Sequence, residues 1–488
     1  MENVLGQLEP QSVFKYFEDM SRIPRGSGKE KEISDYLVQF AKDHRLEVIQ
    51  DEIYNVIIKK PATPGYETAP PVIIQGHMDM VCEKNRDTVH DFAKDPLKLQ
   101  IKGDMIYATN TTLGADNGIA VAYALAILAS DTIPHPSLEA LITVQEEIGL
   151  KGAAALDASH LDGKYLINLD SEEEGKLLVS CAGGVRTTQS IPVTWEAPCG
   201  ENLAAYRISI TGLKGGHSGM DIHRGRGNAN KLMGRFLNAL TSAFAFSIKE
   251  INGGAKMNAI PREAEAVILT NADNSSELQN RIETWQKTFE NELRTSDPGV
   301  MLTFQRLQMP VAKVLSKETE HKVIASLVLI PNGVQSMSMD IEGLVESSTN
   351  LGVVKTTDKD VLFESAVRSS VKSLKYTILH QSKMVADILG VRLTTDSDYP
   401  EWQYNPDSKM QAICERVYKE KYGAAPEIIA LHAGVECGLL KEKKNDLDMI
   451  SFGPNMYDVH TPNEHLSISS TKHTWEYLLA VLKEMKHA

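Results

Sequence analysis

The first third of the chain alternates amphipathic segments with short apolar runs. Apolar residues recur on one helical face across 29–43, and strand-like runs follow at 46–50, 55–59 and 72–74. An almost uncharged helix is predicted over 118–129, with Asp116 or Asn117 placed to cap its N-terminus. Strands that alternate with helices in this way favour an α/β layer architecture.

The pattern changes beyond about residue 184. Residues 207–211 alternate like a strand with one exposed face, and 275–294 carry apolar side chains on one face of a helix. These features predict an inserted α+β domain with an open antiparallel sheet. The polar, proline-containing stretch 394–408 is expected to return the chain to the first domain.

The C-terminal segment resumes the pattern of the first third. An amphipathic helix from Lys409 is expected to end at Gly423, followed by a strand at 448–452 and a helix at 475–485. We therefore predict a discontinuous core domain, formed by 1–185 and 399–488, and an insert at 186–398.

Composition narrows the class of protein. Lysine and arginine total 51 against 65 acidic residues, so the net charge of −14 argues against a non-specific binder of nucleic acid or anionic membrane. The five cysteines are odd in number and form no CxxC pair, which is typical of a reducing compartment. No apolar stretch is long enough to cross a bilayer and no secretory signal is evident, so we expect a cytoplasmic protein.

Potential metal ligands follow four strand-like runs. VIIQGHMD ends at His77 and Asp79, ALITVQEE at Glu146 and Glu147, YLINLD at Asp170, and MISFGPNMYDVH at His460, while Asp116 in LGADNG opens the uncharged helix. Sites in open α/β sheets form beyond the carboxyl ends of the strands, so we expect these side chains to converge.

Two histidines and three carboxylates suit a pair of metal ions. Zinc accepts histidine nitrogen and carboxylate oxygen, and Co²⁺ or Mn²⁺ could occupy the same ligands. If one aspartate bridges, each ion receives the bridge, one histidine, one further carboxylate and a shared water. A metal pair lowers the pKa of that water and polarises a substrate carbonyl, and one glutamate is still needed as the general base.

These motifs resemble a known family. GHMD, LGADNG, VQEEIGLKG, INLD and DVHTPNE are similar to the di-zinc metallopeptidases of the aminoacylase and carboxypeptidase G type, and among them to the aminoacyl-histidine (Xaa-His) dipeptidases. The resemblance extends over essentially the whole chain. It implies a catalytic core whose mixed sheet is flanked by helices, with an inserted α+β lid domain and two Zn²⁺ ions per chain.

The resemblance also implies residue roles. Asp116 would bridge the two ions, and the full ligand set would be His77, Asp116, Glu147, Asp170 and His460. Glu146 would be the general base, and Asp79 would orient His77. The peptide between Asp116 and Asn117 is expected to be cis.

Four residues of the insert and the following segment are implied in substrate binding. His217 of GGHSG would stabilise the tetrahedral oxyanion, and Asn258 of MNAIP would lie near the substrate. Arg368 would pair with the free carboxylate of a dipeptide, for which its planar fork is suited. Gly434 would contribute a backbone contact, and the lid is expected to form a homodimer.

We therefore predict hydrolysis of Xaa-His and related dipeptides with a free carboxylate, by a metal-bridging water that a glutamate activates. The partner would be a small peptide, with no nucleic acid and no membrane. Two alternatives stay open. One is an amidohydrolase or carboxypeptidase-like enzyme that acts on N-acyl amino acids, and the other is a non-catalytic metal-binding protein on the same scaffold.

Overall fold

The computed structural model describes residues 3–308 and 310–488, apart from the side chain of His487. Positions 1 and 2 of the predicted segment 1–185, and position 309 of the predicted insert, lie outside the described residues. No helix in the described ranges has both the length and the apolar character needed to cross a membrane.

The helices are distributed along the whole described chain. They are α1 (Gln11–Ser21), α2 (Lys31–Asp43), α3 (Ala115–Ala129), α4 (Lys151–Ala155), α5 (Ala229–Leu240), α6 (Ser275–Leu293), α7 (Lys317–Leu329), α8 (Lys372–Leu389), α9 (Lys409–Tyr422), α10 (Glu436–Lys443) and α11 (Ile468–Glu484).

The strands form two large sheets and several small ones. They are β1 (Glu47–Gln50), β2 (Val56–Lys60), β3 (Val72–His77), β4 (Leu99–Lys102), β5 (Met105–Ala108), β6 (Leu138–Thr143), β7 (Tyr165–Asn168), β8 (Lys176–Cys181), β9 (Gly183–Pro192), β10 (Trp195–Glu196), β11 (Leu203–Thr211), β12 (Gly216–His217), β13 (Phe246–Gly253), β14 (Ala259–Ile260), β15 (Ala264–Asn271), β16 (Met301–Leu307), β17 (Val314–Leu315), β18 (Gly333–Met337), β19 (Val345–Thr356), β20 (Asp360–Ser369), β21 (Arg392–Tyr399), β22 (Glu427–Leu431), β23 (Asp448–Ser451), β24 (Met456–Tyr457) and β25 (His465–Ser467).

The chain divides into two compact units. The first comprises the described chain up to Ser180, together with Tyr404–Ala430 and Val435–Ala488. The second comprises Cys181–Gln403 and Leu431–Gly434. The domain roles given above to 1–185, 186–398 and 399–488 stay predictions.

The first unit contains an eight-stranded mixed sheet in the order β1-β2-β6-β3-β7-β23-β8-β22. Strand β3 runs parallel to β6 and β7, and β7 runs parallel to β23. Every residue of β3, β6 and β7 is buried, which explains why apolar residues predominate in these strands and do not alternate with exposed polar ones.

Helix α3 packs against β3 and α1 in the same unit. Its side chains are buried from Ala115 to Leu128, which is why this helix carries almost no charge. The predicted cap was wrong. The N-cap is Gly114, with a φ of 67°, whereas Asp116 and Asn117 have non-helical backbone angles and the peptide between them is cis.

The second unit contains a nine-stranded sheet whose main path is β16-β11-β15-β13-β19-β20-β9-β21, with β18 paired to β19. The pairs along this path are antiparallel, as expected for the insert. Helices α5 and α8 pack on the sheet. The polar stretch 394–408 is only partly a connection, because its first residues belong to β21. That strand lies at the sheet edge, where exposed polar side chains are tolerated.

Candidate active site

The carboxyl ends of adjacent parallel strands bring candidate ligands together in the first unit. His77 is the last residue of β3 and lies in register with Thr143, the last residue of β6. Glu146 and Glu147 follow β6, and Asp170 follows β7. Since neighbouring parallel strands end at one edge of the sheet, the side chains that follow them converge there.

Asp116 lies between two histidines. Its Oδ1 atom is 3.1 Å from Nε2 of His77, and its Oδ2 atom is 3.1 Å from Nε2 of His460. Each carboxylate oxygen therefore faces a different imidazole nitrogen. This arrangement is the one that a carboxylate bridging two cations requires.

The structure brings all five proposed ligands into two overlapping groups. The ligand atoms within each group lie within 4.8 Å of one another, and the groups are His77, Asp116 and Asp170, and Asp116, Glu147 and His460. Each group holds one histidine and two carboxylates, with Asp116 common to both. Nitrogen and oxygen ligands of this kind suit zinc and related divalent ions.

Hydrogen bonds among the described residues do not pair all of the candidate metal-ligand atoms. Asp170 Oδ1 is buried and has no hydrogen-bond partner among the described residues, although it lies 3.4 Å from His77 Nε2. The same nitrogen is 3.1 Å from Asp116, and one ring N–H cannot serve both oxygens well. A cation between these atoms would satisfy all three, so the residues fit a bound metal.

The electrostatics of the cluster favour positive charge. Hydrogen bonds with Asp116 and Glu147 raise the pKa of His460 to about 11. Burial raises the pKa of Asp170 to about 6, with the charge of His77 opposing that shift. A histidine that is strongly stabilised as a cation marks the place where a metal ion would be stabilised too.

Asp79 contacts more than His77. Its backbone carbonyl is 3.1 Å from His77 Nδ1, and its Oδ1 atom is 3.4 Å away from the same nitrogen. The carboxylate also accepts hydrogen bonds from the hydroxyl of Ser27, at 2.7 Å, and from the backbone N–H of Glu146, at 3.1 Å. Burial alone would raise the pKa of Asp79, but the hydrogen bond and charge of His77, with smaller effects of the other two hydrogen bonds, hold the pKa below its usual value. Asp79 thus joins the β3 end to the turn after β6.

The adjacent acids Glu146 and Glu147 occupy a tight turn that begins at Gln145, whose φ is 52°. Glu147 Oε1 lies 3.0 Å from Nε2 of His460. Burial raises the pKa of Glu146 to about 9, and the nearby charge of His77 only partly offsets the effect. The two neighbours therefore differ in their contacts: the Glu147 carboxylate lies against His460, whereas Glu146 is a partly buried carboxyl beside the cluster.

Three further buried charged residues of the first unit surround the cluster, and the motifs gave them no role. Glu464, in DVHTPNE, binds the backbone of the segment that leads into α3. Arg25 binds backbone carbonyls of that segment and of the β3 end. Glu436 accepts hydrogen bonds from Gln75 and Thr143, and burial raises its pKa to about 7. The sequence signal for Glu464 is its position close after His460.

The second unit holds the proposed substrate-binding residues. Arg368 of β20 donates a hydrogen bond from Nη1 to the hydroxyl of Tyr399, at 2.9 Å, while its Nε is buried without a partner among the described residues. A Cβ atom on Gly434 would lie 2.6 Å from the Tyr399 ring, so this position has no room for a side chain. Arg368, Tyr399 and Gly434 therefore form one group.

His217 has a defined tautomer when neutral. Its Nδ1 atom accepts hydrogen bonds from the backbone N–H groups of Gly219 and Met220, at 3.2 and 3.1 Å. Burial and the charge of Arg368 lower the pKa of His217. The proton of the neutral ring therefore lies on Nε2, where it can be donated.

His432 and Asn258 are two further polar residues of this unit. His432 Nε2 lies 2.7 Å from the hydroxyl of Ser348, and burial and Arg368 lower the pKa of His432 to about 3. Asn258 has an exposed side chain, and its backbone carbonyl accepts a hydrogen bond from Ser218 at 2.9 Å.

Comparison with known proteins agrees with the site chemistry. The sequence profile of Peptidase family M20/M25/M40 matches residues 73–484. The chain belongs to this family. It is 39% identical over 482 residues to the cytosol non-specific dipeptidase of Escherichia coli strain K12, with 99% of both chains covered. Its structure matches that of the aminoacylhistidine dipeptidase of Vibrio alginolyticus with a TM-score of 0.96 and 38% identity, over 99% of this chain and 98% of the other.

A more distant structure shares the fold. An aminopeptidase from Bacillus cereus matches with a TM-score of 0.57 at 16% identity, over 98% of this chain and 99% of the other. Within the M20/M25/M40 family the chain is a hydrolytic peptidase with a mixed α/β fold. The predicted family resemblance, α/β fold class and peptidase activity are confirmed.

Proposed function

We propose that this chain hydrolyses Xaa-His and related dipeptides with a free carboxylate in a metal-dependent reaction. The observation that carries the proposal is the position of Asp116, whose two oxygens face His77 and His460 separately. Dipeptidase activity is supported by the full-length similarity to the E. coli and Vibrio dipeptidases.

Two Zn²⁺ ions would be held by the two overlapping groups, with Asp116 shared. Co²⁺ or Mn²⁺ would fit the same nitrogen and oxygen ligands. When bound, the ions would polarise the scissile carbonyl and lower the pKa of the attacking water.

Glu146 would accept the proton of the attacking water and deliver it to the leaving amine. A carboxylate oxygen of Glu146 lies within 4.8 Å of potential ligand atoms of both His77 and Glu147. Glu146 is nevertheless not needed to complete either of the two metal groups. Cations bound at the cluster would oppose the burial that raises the pKa of Glu146, and so favour the carboxylate form that a base requires.

In the second unit, Arg368 would bind the carboxylate of the dipeptide. Its Nη1 atom donates to Tyr399, and its buried Nε has no partner among the described residues. Donors therefore remain for two parallel hydrogen bonds to a carboxylate. The Nε2–H group of neutral His217 would donate to the oxyanion, with Gly434 and Asn258 close to the substrate.

The proposal is tested by removing metal with a chelator and restoring Zn²⁺, Co²⁺ or Mn²⁺ separately. Hydrolysis of Gly-His, carnosine, other dipeptides and N-acetyl amino acids is then measured with each ion. We expect activity to return with metal and to favour dipeptides. Preference for N-acetyl amino acids would indicate an amidohydrolase instead, and metal-loaded protein inert towards the panel would indicate a non-catalytic binding protein.

We also infer a cytoplasmic homodimer. The similarity to the E. coli cytosol dipeptidase supports the location. Sedimentation of the purified protein tests the oligomeric state, and a monomer at micromolar concentration would contradict the dimer.

A further inference from the structure

We propose that Arg25 and Glu464 are positioning residues that hold segment 113–116 from opposite sides, so that Asp116 can serve two metal ions at once. This inference rests on the proposed metal site. Both residues are buried, with 3% and 2% of their surface exposed, and neither belongs to either ligand group. Buried charged residues are rare unless they have specific partners, and for both residues these partners include backbone groups of segment 113–116.

Glu464 binds the N–H side of the segment. Its Oε2 atom accepts hydrogen bonds from the backbone N–H groups of Leu113 and Gly114, at 2.7 and 2.9 Å. Its Oε1 atom accepts from those of Ala115 and Asp116, at 2.7 and 3.3 Å. One carboxylate thus satisfies four consecutive backbone donors, including that of Asp116 itself.

Arg25 binds the carbonyl side. Its Nη2 atom donates to the backbone carbonyl of Gly114 at 2.5 Å, and its Nη1 atom donates to that of Met78 at 3.0 Å. Met78 directly follows His77. The rigid guanidinium therefore joins the segment that carries Asp116 to the segment that carries His77, and sets the distance between them.

Two glycines of LGADNG make room for the guanidinium. A Cβ atom on Gly114 would lie 2.5 Å from Arg25 Nη2, and one on Gly118 would lie 2.6 Å from the same atom. Gly114 also has a positive φ of 67°, which favours glycine in any case. At Gly118, by contrast, no positive φ is involved and the close approach of Arg25 alone requires the absence of a side chain.

The shared position of Asp116 gives this arrangement a distinctive consequence. A displacement of segment 113–116 changes the position of both oxygens, the one that faces His77 and the one that faces His460. Loss of Arg25 or Glu464 should therefore weaken both metal ions together. Loss of a ligand that belongs to one group only, such as Asp170, should weaken one ion more than the other.

The test measures metal affinity of purified apo-protein by competition with a chromogenic chelator, together with the visible spectrum of the Co²⁺-loaded form. Glu464→Gln keeps the size of the side chain but turns an amide nitrogen towards backbone donors. We expect the affinity for each of the two metal ions to fall by about 10- to 100-fold, which is typical when a residue that orients a metal ligand is replaced. Gly118→Ala, which presses on Arg25, should act in the same direction, and both variants should change the Co²⁺ spectrum.

Glu139→Gln is the matched control. Glu139 is also a buried glutamate that binds backbone N–H groups, those of Asp162 and Gly163, but it lies on β6 near the opposite end from the cluster. It should lower thermal stability without changing metal affinity or spectrum. Wild-type affinity in Glu464→Gln and Gly118→Ala, or equal losses of affinity in Glu139→Gln, would overturn the positioning role. If wild-type protein binds no metal, the proposed function itself fails.

Discussion

His460 in the first unit and His432 in the second have opposite electrostatic surroundings. Hydrogen bonds with Asp116 and Glu147 raise the pKa of His460 to about 11. Burial and the charge of Arg368 lower the pKa of His432 to about 3. The same side chain is therefore stabilised as a cation in one cluster and as a neutral ring in the other.

This contrast shows that the two units offer sites for opposite charges. The acidic cluster of the first unit would stabilise divalent cations, whereas Arg368 in the second would stabilise a carboxylate. If the contrast reflects function, substitutions in the first cluster should change metal binding or the chemical step. Substitutions around Arg368 should change substrate binding and leave metal content intact.

The largest expected effect is that of Glu146→Gln. Removal of the general base should lower kcat by about 10²- to 10⁴-fold, because positioned proton transfer contributes on that scale. Metal content should stay near two ions per chain, as measured by atomic absorption after gel filtration. Retained turnover in this variant would rule out the assignment of the base.

Glu147→Gln tests whether the two adjacent glutamates have different roles. Glu147 belongs to the group of Asp116 and His460, so its loss should weaken one metal ion by at least about 100-fold. Chelator competition measures the affinity, with Glu146→Gln as the matched control. If the two variants lost metal equally, the division of roles within the pair would be wrong.

A smaller effect is expected from Arg368→Met in the second unit. Loss of charged hydrogen bonds to the dipeptide carboxylate, worth about 1.5–3 kcal/mol, should raise KM by about 10- to 100-fold. Dipeptide amides, which lack that carboxylate, should be hydrolysed equally by variant and wild type. A variant with normal KM, or one that loses metal, would contradict the assignment of substrate binding to Arg368 and of metal binding to the first unit.

Tyr399→Phe should have the smallest effect of the four. It removes one hydrogen bond to Arg368 while keeping the ring that lies against Gly434. A loss of about 0.5–1.5 kcal/mol corresponds to a rise in KM of about 2- to 10-fold, with kcat and metal content unchanged. Steady-state kinetics on Gly-His decide the outcome, and a change in kcat alone would argue against a role through Arg368.

Much of the core was predictable because local patterns reflect local burial. The strands β3, β6 and β7 are buried on both faces, so apolar residues predominate in them and do not alternate with exposed polar ones. Gly423, expected to end a helix, caps α9 with a φ of 74°. The start of α3 was not predictable in this way, because the backbone N–H groups of residues 113–116, just before and at its first turn, bind Glu464, which is distant in sequence.

The candidate ligands were recognisable for a related reason. Each follows a strand or opens a helix, and the topology of parallel strands brings such positions to one edge. Arg25 was not recognisable, since its role depends on carbonyl groups at Met78 and Gly114 that carry no side-chain signal. The additional contact of Asp79 with the Glu146 backbone was missed for the same reason.

The sequence by itself determined which residue types stand at the ends of the buried strands, and hence the family and the class of chemistry. Only the tertiary structure decided which oxygen of Asp116 faces which histidine, and how the two adjacent glutamates differ. Strand ends are specified by local hydrophobic pattern, whereas atom-to-atom geometry depends on backbone contacts between segments far apart in the chain. Arg25 and Glu464 make those contacts around segment 113–116, and no local pattern encodes them.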